Sequence, residues 1–248
     1  MKILVTGSKG FIGKNLIARL KTLSDNYKFY EYDIDSSLKD LDDYTKDCDF
    51  VYNFAAVHRP KDNSEFNIVN HLFFDDLLNL LKKHNNTCPV LYTSSIQAIN
   101  GSEYGNSKLA AENDLFEYGK ETGARAIVYR LTNIYGRWAT PNHHSVVATF
   151  CNNISKGIPI QISDIGHVMN FYYIDDVIDS FVAQLDGKVK PCEDNIYRLS
   201  EDKIHTITLG TLADTLYRFE NELKQGKEPK TENETERTLL LTYKSYRE

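Results

Sequence analysis

Two groups of residues in this 248-residue chain have types and spacings that can do chemistry. The first is Gly7-Ser8-Lys9-Gly10-Phe11-Ile12-Gly13, a G-x-x-G-x-x-G turn between an apolar run at 3–5 and a segment of helical periodicity. Glycines permit the tight turn, and the N–H groups at a helix start attract an anion. A glycine-rich turn without a ligand is the alternative. The strand-turn-helix context favours the pyrophosphate of a dinucleotide.

Within this turn we predict contacts to the dinucleotide from Gly7, Lys9, Gly10, Phe11, Ile12 and Gly13. Asp33 lies 20 residues after Gly13, at the end of the next predicted strand. A carboxylate there can accept hydrogen bonds from ribose hydroxyls and would repel a 2′-phosphate. The expected cofactor is therefore NAD or NADP, and Asp33 favours NAD. Glu31 and Asp35 alternate closely with Asp33 and are alternatives for this role, as is an acidic turn without a ligand.

The second group combines a Y-x-x-x-K pair, Tyr104 and Lys108, with Ser95 at the end of the preceding predicted strand. Residues four apart on a helix share a face, so the ammonium can lower the pKa of the phenol and hold a nicotinamide ribose while the phenol donates a proton. The Ser95 hydroxyl can bind the same carbonyl oxygen. A Y-x-x-x-K pair alone is more often a solvated helix face. Its position after the serine-rich strand end, downstream of the glycine turn, predicts that Ser95, Tyr104 and Lys108 are catalytic.

A framework that brings these groups together follows from the hydrophobic pattern. Short apolar runs alternate with helical periodicity up to about residue 135, which is typical of a parallel sheet. The predicted fold class is α/β: a Rossmann-type doubly wound parallel sheet with a small C-terminal substrate-binding lobe. The predicted strands are 3–5, 27–33, 50–55, 90–94, 126–131, 158–162 and 195–199, and the main predicted helices are 38–44, 66–81, 104–118, 146–154, 175–185 and 209–219.

The expected domains follow from the same pattern. Residues 1–136 form the dinucleotide-binding domain, to which 170–187 also contribute, and 137–222 form the substrate-binding lobe. Residues 223–248 are charged and read as a tail or linker, although Leu239, Leu240 and Leu241 near their end suggest that something packs there.

Composition and charge limit the class of protein. Hydrophobic residues make up 41% and charged residues 26%, as in a packed globular protein. A net charge of −6 gives no general attraction to nucleic acid or to anionic membranes. No apolar run approaches a membrane span and no cleavable leader is visible, so we expect a cytoplasmic protein. The cysteines have no metal or disulfide spacing and are expected to be packing residues in a reducing compartment: Cys48, Cys88, Cys151 and Cys192.

Six motifs stand in a characteristic order along the chain. They are residues 6–13, Asn53-Phe54-Ala55-Ala56, Thr93-Ser94-Ser95, residues 104–108, residues 130–136 and residues 173–177. With them the sequence resembles the extended short-chain dehydrogenase/reductase superfamily of nucleotide-sugar epimerases, dehydratases and reductases. The resemblance implies further dinucleotide contacts from Phe54, Ala55, Ala56, Thr93 and Leu131. Only about 16 residues precede Phe50 after the second strand, so the superfamily's usual third strand is predicted to be missing or vestigial.

Three further segments, Val57-His58-Arg59-Pro60, residues 94–98 and residues 141–151, are similar to bacterial capsule enzymes that reduce a UDP-2-acetamido-2,6-dideoxy-hexos-4-ulose to UDP-N-acetyl-L-talosamine, on the way to UDP-N-acetyl-L-fucosamine. This similarity runs from residue 1 to about 245. It implies a preference for NADPH, against which Asp33 argues. It also implies a zinc-dependent cupin domain after the point where this chain stops, so the chain is either shortened or a natural single-domain relative.

Contacts to the nucleotide-sugar substrate are expected from several positions. By resemblance Asn133 binds substrate. Arg130 ends the preceding predicted strand over the cofactor cleft, and a purely structural role is the alternative for it. Arg59 and Arg137 are candidates for the UDP pyrophosphate, with a surface role as the alternative. Ser95, Ile96 and Gln97 follow the strand end and complete the set near the reacting carbon.

The remaining candidates lie in one predicted loop. Trp138 is a candidate for a uracil or sugar contact, with simple packing as its alternative. His143 and His144 are expected near the sugar and not on a metal, because adjacent histidines point apart and no carboxylate or cysteine stands at ligand spacing. We expect no metal site in this chain.

The residues after the serines discriminate between reactions. Dehydration needs an acid and a base there, and Ile96 and Gln97 cannot transfer protons at useful rates. The cysteine expected of epimerase-reductases of the GDP-fucose type is absent. Reduction of a 4-keto sugar needs only Ser95, Tyr104 and Lys108, and it is the predicted reaction. A 4-epimerase that retains NAD is the alternative, and a non-catalytic dinucleotide sensor is the alternative from another class.

A homodimer through a four-helix bundle is also predicted. The helices 66–81 and 104–118 would pair with their symmetry mates, because the first carries too many apolar residues to cover only one sheet face. These residues are Leu72, Phe73, Phe74, Leu77, Leu78, Leu80 and Leu81.

Overall fold

The computed structural model describes residues 1–57, 62, 64–143 and 145–247. Two predicted substrate contacts, Arg59 and His144, lie outside the described residues. The strands are β1 (Lys2–Thr6), β2 (Lys28–Tyr32), β3 (Phe50–Asn53), β4 (Val90–Ser95), β5 (Ala126–Leu131), β6 (Asn133–Tyr135), β7 (Val168–Tyr173), β8 (Ile196–Tyr197) and β9 (Ile204–Thr208). The α-helices are α1 (Phe11–Leu23), α2 (Leu38–Thr45), α3 (Ser64–Asn67), α4 (Phe73–Lys83), α5 (Glu103–Thr122), α6 (Val146–Ser155), α7 (Ile174–Val182), α8 (Leu209–Lys224) and α9 (Glu234–Lys244).

The chain divides into two compact units. The first comprises Met1–Leu131 and Ser180–Arg198, and the second comprises Thr132–Asp179 and Leu199–Glu248. These boundaries differ from the predicted ones: the second unit begins at 132, and of the segment 170–187 only the part from Ser180 belongs to the first unit. Hydrophobic periodicity locates helices and strands, but it does not show which of them contact one another. The predicted unit boundaries therefore differ from those of the structure.

The first unit contains the predicted Rossmann-type sheet. Its six strands run in the order β2-β1-β3-β4-β5-β8, and each neighbouring pair is parallel. The prediction that the usual third strand is missing is confirmed, because only α2 separates β2 from β3 and β2 lies at the sheet edge. The carboxyl ends of the central strands therefore meet at one edge of the sheet, where α/β proteins bind ligands.

The core of the first unit explains the almost continuous apolar strands. Leu4, Val51, Val90 and Val128 from four adjacent strands are fully buried and share one cluster with helical side chains. Strands covered by helices on both faces need apolar residues at successive positions. The helical members of this cluster include Phe74, Leu77, Leu78, Leu81, Ala111, Leu115 and Tyr118.

The helix predicted at 66–81 is interrupted. In its place α3 is followed by a π-helix at Ile68–Leu72 and then by α4. Wide turns of this kind are uncommon and are often found at functional sites. The buried side chain of Asn70, within this π-helix, donates to the carbonyl of Val57 (3.0 Å) and accepts from its N–H (2.7 Å). The π-helix thus fixes the chain just after β3.

The second unit has a mixed three-stranded sheet in the order β6-β7-β9, with β6 parallel and β9 antiparallel to β7. The sequence predicted neither β7 nor β9, because both strands contain exposed positions and neither is a continuous buried apolar run. The strand predicted at 158–162 is absent from the structure, since these residues form an irregular segment after α6.

The predicted tail contains a packed helix, which corrects the expectation for residues 223–248. In α9 the side chains of Leu239, Leu240 and Tyr243 are buried, and Asn233 caps the helix by accepting from the Glu236 N–H. The high charge of this segment lies on the other face of the helix, and Leu241 is exposed there. A buried cluster also ties α9 to the sheet, because the Tyr135 hydroxyl contacts Thr238 Oγ1 (2.6 Å) and His205 Nδ1 (2.8 Å).

Two further expectations can be compared with the structure. Cys48, Cys88 and Cys151 are buried and pack in the interior, whereas Cys192 is exposed, and all four are free thiols. In the part of the chain that the structure describes, no helix is both long and apolar enough to span a bilayer.

Candidate active site

The glycine turn joins β1 to α1 in a geometry that only glycine permits. Gly7 has φ +63°, and a Cβ on it would lie 2.9 Å from backbone atoms of Phe54 and Ala55. A Cβ on Gly13 would lie 2.3 Å from the Gly7 carbonyl oxygen. These separations are well inside van der Waals contact, so side chains here would push α1 away from the turn. The sequence therefore builds a close backbone cradle at the first residues of α1.

This cradle fits an anionic group. Gly10 is the N-cap of the 13-residue α1, no side chain caps the helix, and its first turn has no acidic residue. The N–H groups and the positive end of the helix dipole favour a phosphate. Two buried polar atoms in this unit, Ser8 Oγ and Asn53 Nδ2, also have no hydrogen-bond partner among the described residues. Buried polar groups are normally paired, so these two atoms are available to form hydrogen bonds with a polar ligand.

The residues after β3 lie against this turn. Thr6 Oγ1 contacts Asn53 Oδ1 (2.5 Å) and accepts from the N–H of Ala55 (3.3 Å), and the Thr6 carbonyl accepts from the N–H of Phe54 (3.2 Å). Thr93 Oγ1 on β4 donates to the Asn53 carbonyl (3.4 Å). The structure therefore places the predicted cofactor residues of β1, β3 and β4 together at the carboxyl edge of the sheet. Ala56 follows directly, and Leu131 ends β5 beside Ser95 in register.

Two acidic residues that follow β2, Asp33 and Asp35, contact the glycine turn. Asp33 follows β2, and its carboxylate accepts from the N–H of Lys9 (2.7 Å) and of Ile34 (2.8 Å). The Lys9 ammonium forms an exposed ion pair with Asp35, and this contact raises the pKa of Lys9. Lys9 therefore lies between two carboxylates, with its cation already paired.

Ser95 and Tyr104 are hydrogen-bonded to each other. Ser95 ends β4, and its hydroxyl also accepts from the Gln97 N–H (3.1 Å), which caps a 3₁₀-helix at Ile96–Ile99. Tyr104 lies in the first turn of α5, which Ser102 caps. Burial raises the pKa of Tyr104 to about 12, and the hydrogen bond from Ser95 opposes this shift. The phenol thus keeps its proton at neutral pH and holds it beside the serine hydroxyl.

Lys108 lies one helical turn further along α5 and is only 2% exposed. Its ammonium donates to the Thr93 carbonyl (3.1 Å) and lies 4.9 Å and 5.9 Å from the ring centroids of Tyr92 and Tyr104. Burial lowers the pKa of Lys108 to about 7, and the charge of Glu112 opposes this shift. Lys108 therefore gains or loses its proton close to neutral pH, as suits a group that assists proton transfer.

Two residues of this site were missed by the sequence analysis. Asn70 joins the loop after β3 to α5, because its amide also reaches Ser107 Oγ (3.4 Å). Glu112 is 1% exposed and binds Arg130, so Arg130 has the structural role that was its alternative. The available signals were a polar residue inside an apolar helix pattern and a carboxylate four residues after Lys108.

The predicted substrate residues fall into both units. Ile96 and Gln97 lie in the first unit, exposed on the 3₁₀-helix directly after Ser95. In the second unit Asn133 lies on β6 and donates to the Asn170 carbonyl (3.4 Å). His143 is exposed in the loop before α6.

Arg137 and Trp138 form one local cluster of the second unit. The guanidinium of Arg137 lies 4.9 Å from the Trp138 ring centroid and 3.6 Å from the Asp175 carboxylate. Trp138 has φ +68° and is 48% exposed. A bulky residue in the left-handed region is strained, and such strain is concentrated at ligand sites. The exposed indole therefore remains a candidate binding surface.

The fold and the site together define a Rossmann-type protein with a backbone cradle at its glycine turn and a Ser-Tyr-Lys group at the carboxyl edge of the same sheet. Residues 3–197 match the NAD dependent epimerase/dehydratase family, and the chain belongs to this family. The sequence resemblance and the predicted fold class are confirmed.

Similar proteins were found in sequence and in structure. The chain is 37% identical over 246 residues to a UDP-2-acetamido-2,6-beta-L-arabino-hexul-4-ose reductase of Pseudomonas aeruginosa. The aligned residues cover 99% of this chain and 65% of that protein. It is 25% identical to a dTDP-4-dehydro-6-deoxyglucose reductase of Escherichia coli, over 86% of this chain and 80% of that protein. The capsular polysaccharide assembling protein CapF from Staphylococcus aureus has a similar structure, with a TM-score of 0.87 and 33% identity over 99% of this chain and 66% of that one. The chain thus spans just under two thirds of the Pseudomonas and Staphylococcus relatives.

Proposed function

We propose that this protein reduces the C4 keto group of a UDP-2-acetamido-2,6-dideoxy-hexos-4-ulose with a reduced nicotinamide dinucleotide, in the biosynthesis of capsule or O-antigen sugars. The observation that carries this proposal is the Tyr104 hydroxyl bonded to Ser95, with Lys108 one turn away, at the carboxyl end of β4. The similarity to the Pseudomonas reductase supports the substrate class.

Each group has one role in this reaction. A reduced nicotinamide dinucleotide held by the glycine turn and Lys108 would supply a hydride to C4 of the sugar. Tyr104 donates its proton to the developing alkoxide, which becomes the hydroxyl of the product, and Ser95 orients the same oxygen by a hydrogen bond. Lys108 holds the ribose and stabilises the phenolate that remains on Tyr104 until solvent returns the proton.

The residues beside Ser95 favour reduction over dehydration. Ile96 and Gln97 occupy the 3₁₀-helix that Ser95 caps, and neither side chain can remove or donate a proton at a useful rate. A simple reduction requires no further acid or base. The same residues would also serve a 4-epimerase, which differs in regenerating its own cofactor.

A direct assay separates these functions. We expect that incubation with the 4-keto UDP-sugar consumes one equivalent of reduced dinucleotide for each alcohol formed. Dinucleotide that stays bound through purification, together with interconversion of 4-hydroxy epimers without net consumption, would instead identify an epimerase. Tight dinucleotide binding without turnover of any 4-keto UDP-sugar would favour the sensor and contradict the proposed reduction.

We expect NADH to bind at least tenfold more tightly than NADPH. Asp33 beside the glycine turn would meet a 2′-phosphate as a like charge, and the cation of the glycine turn, Lys9, already pairs with Asp35. Titration with both cofactors measures the ratio. Asp33→Asn should lower the ratio of NADH affinity to NADPH affinity, and Lys9→Ala should leave this ratio unchanged. Tighter NADPH binding that is lost in Lys9→Ala would show that Lys9 leaves Asp35 to bind the phosphate.

The homodimer through a four-helix bundle of 64–83 and α5 stays a prediction, on a narrower basis. Phe74, Leu77 and Leu81 are used by the core of the first unit, so they no longer require a partner. Ile68 and Leu72, four residues apart, are 53% and 44% exposed and would form the contact.

Sedimentation velocity at micromolar concentration tests the dimer. We expect a dimer for the wild type and a monomer for Leu72→Glu, because a charge in an apolar helix contact is costly. Leu241→Glu on α9 is the matched control, since Leu241 has similar exposure (46%) outside the predicted interface. A wild-type monomer would rule out the bundle.

A further inference from the structure

The third polar residue on one face of α5 is Glu112, four residues after Lys108 and eight after Tyr104. Its carboxylate is 1% exposed and yet fully hydrogen-bonded. Oε1 accepts from Arg130 Nε (2.9 Å) and from the Ser94 hydroxyl, and Oε2 accepts from Arg130 Nη2 (2.6 Å). A bidentate guanidinium contact of this kind fixes both the charge and the orientation of a carboxylate.

The sheet determines where this charge lies. Ser94 on β4 and Arg130 on β5 are paired in register, so adjacent strands hold the carboxylate from the side opposite the helix. Within the described part of the chain, no carboxylate lies within ion-pair distance of the Lys108 nitrogen. The Lys108 ammonium donates to the carbonyl of Thr93, and the Glu112 carboxylate accepts from the hydroxyl of the next residue on β4, Ser94, so the two side chains reach adjacent residues of one strand. From there the negative charge of Glu112 opposes the effect of burial on the pKa of Lys108.

Other titratable groups around this end of α5 are accounted for. Tyr92 of β4 is buried and Tyr104 of α5 is half-buried, and burial raises the pKa of both phenols, so both are neutral near pH 7. His71 of the π-helix is paired with Asp114 of α5 (2.7 Å). Arg130 is held by Glu112. The charge that supports a proton on Lys108 therefore comes from Glu112.

We propose that Glu112, held by Arg130 and Ser94, is a positioning residue that keeps Lys108 protonated and available to the dinucleotide. The inference rests on the proposed function only for its effect on turnover. Without the carboxylate, the buried ammonium would lose its proton at a lower pH, and the ribose contact and the help to Tyr104 would be lost together. The Glu112–Arg130 pair thus sets the upper pH limit of dinucleotide binding at this site.

The test is the pH dependence of dinucleotide affinity, measured by titration of the full chain from pH 5.5 to 9. Because the wild-type lysine titrates at about 7, affinity should fall as pH rises through that value. In Glu112→Gln the midpoint should move down by about one pH unit or more, which lowers affinity and turnover roughly tenfold above both midpoints. Ser94→Ala is the control, since it removes a hydrogen bond to the same carboxylate but no charge, and its midpoint should not move.

A second variant guards against misfolding. Removing one partner of a buried ion pair leaves the other uncompensated, so Glu112→Gln combined with Arg130→Met replaces the whole pair with neutral groups of similar size. A structural role predicts an unchanged midpoint in this double variant, whereas the proposal predicts an acid shift that is smaller than in Glu112→Gln, because the Arg130 charge is removed as well. Superimposable binding profiles for wild type and double variant would overturn it. Because binding needs no sugar, an acid shift in a protein that fails to reduce 4-keto sugars would disprove the proposed function and not this inference.

Discussion

Replacing Tyr104 by Phe should lower turnover by a factor of about 10² or more and leave dinucleotide affinity nearly unchanged. The lost hydroxyl donates its proton only as the alkoxide forms, so its removal affects the transition state more than the bound complex. The half-buried ring stays in place beside Phe66, 5.6 Å away between centroids. Steady-state rates and a separate dinucleotide titration measure the two quantities.

Tyr118→Phe is the matched control for this substitution. Tyr118 lies on the same helix, is buried, and donates to the Asn86 carbonyl (2.9 Å), far along α5 from Tyr104. Its loss should cost about 1 kcal/mol of stability and leave turnover unchanged. Activity retained in Tyr104→Phe, or an equal loss in both variants, would contradict the catalytic assignment.

Replacing Lys108 by Met should weaken dinucleotide binding at least tenfold, reduce turnover about 10²-fold or more, and at the same time stabilise the fold. Methionine keeps the volume of the side chain but has no charge, so both roles of the ammonium are lost. The stability gain arises because the folded state lowers the pKa of Lys108 from 10.5 to about 7. At pH values below that range the buried charge carries its full penalty.

The sign of this gain depends on pH. Between about pH 7 and 10.5 the unfolded chain binds the proton and the folded chain does not, so wild-type stability rises with pH. The advantage of Lys108→Met should therefore be largest near pH 6 and shrink towards pH 10. Thermal unfolding at several pH values measures it, with Lys82→Met, a half-exposed lysine on α4, as the control. A destabilised Lys108→Met variant would contradict the penalty for burying the charge, and a loss of only one of the two functions would refute the dual role.

The chain alone determined those parts of the protein that depend on local spacing. The glycine turn requires φ +63° at Gly7 and no side chain at Gly13, and both needs are visible in the sequence pattern. Tyr104 and Lys108 share a face because any helix places residues four apart together. Alternating apolar runs likewise specified the parallel sheet and the missing third strand. These features follow from backbone geometry and from the period of the hydrophobic residues.

Contacts between distant residues were decided only by the tertiary structure. Glu112 looks like a surface residue until β4 and β5 bring Ser94 and Arg130 to its carboxylate. Lys9 could have served a phosphate, but its pairing with Asp35 is set by where β2 ends. The tail became a helix because Leu239 and Tyr243 find a buried surface that no local pattern encodes. Burial and pairing at long range fix which charges are held and which groups titrate near neutrality, and the chemistry of this site depends on both.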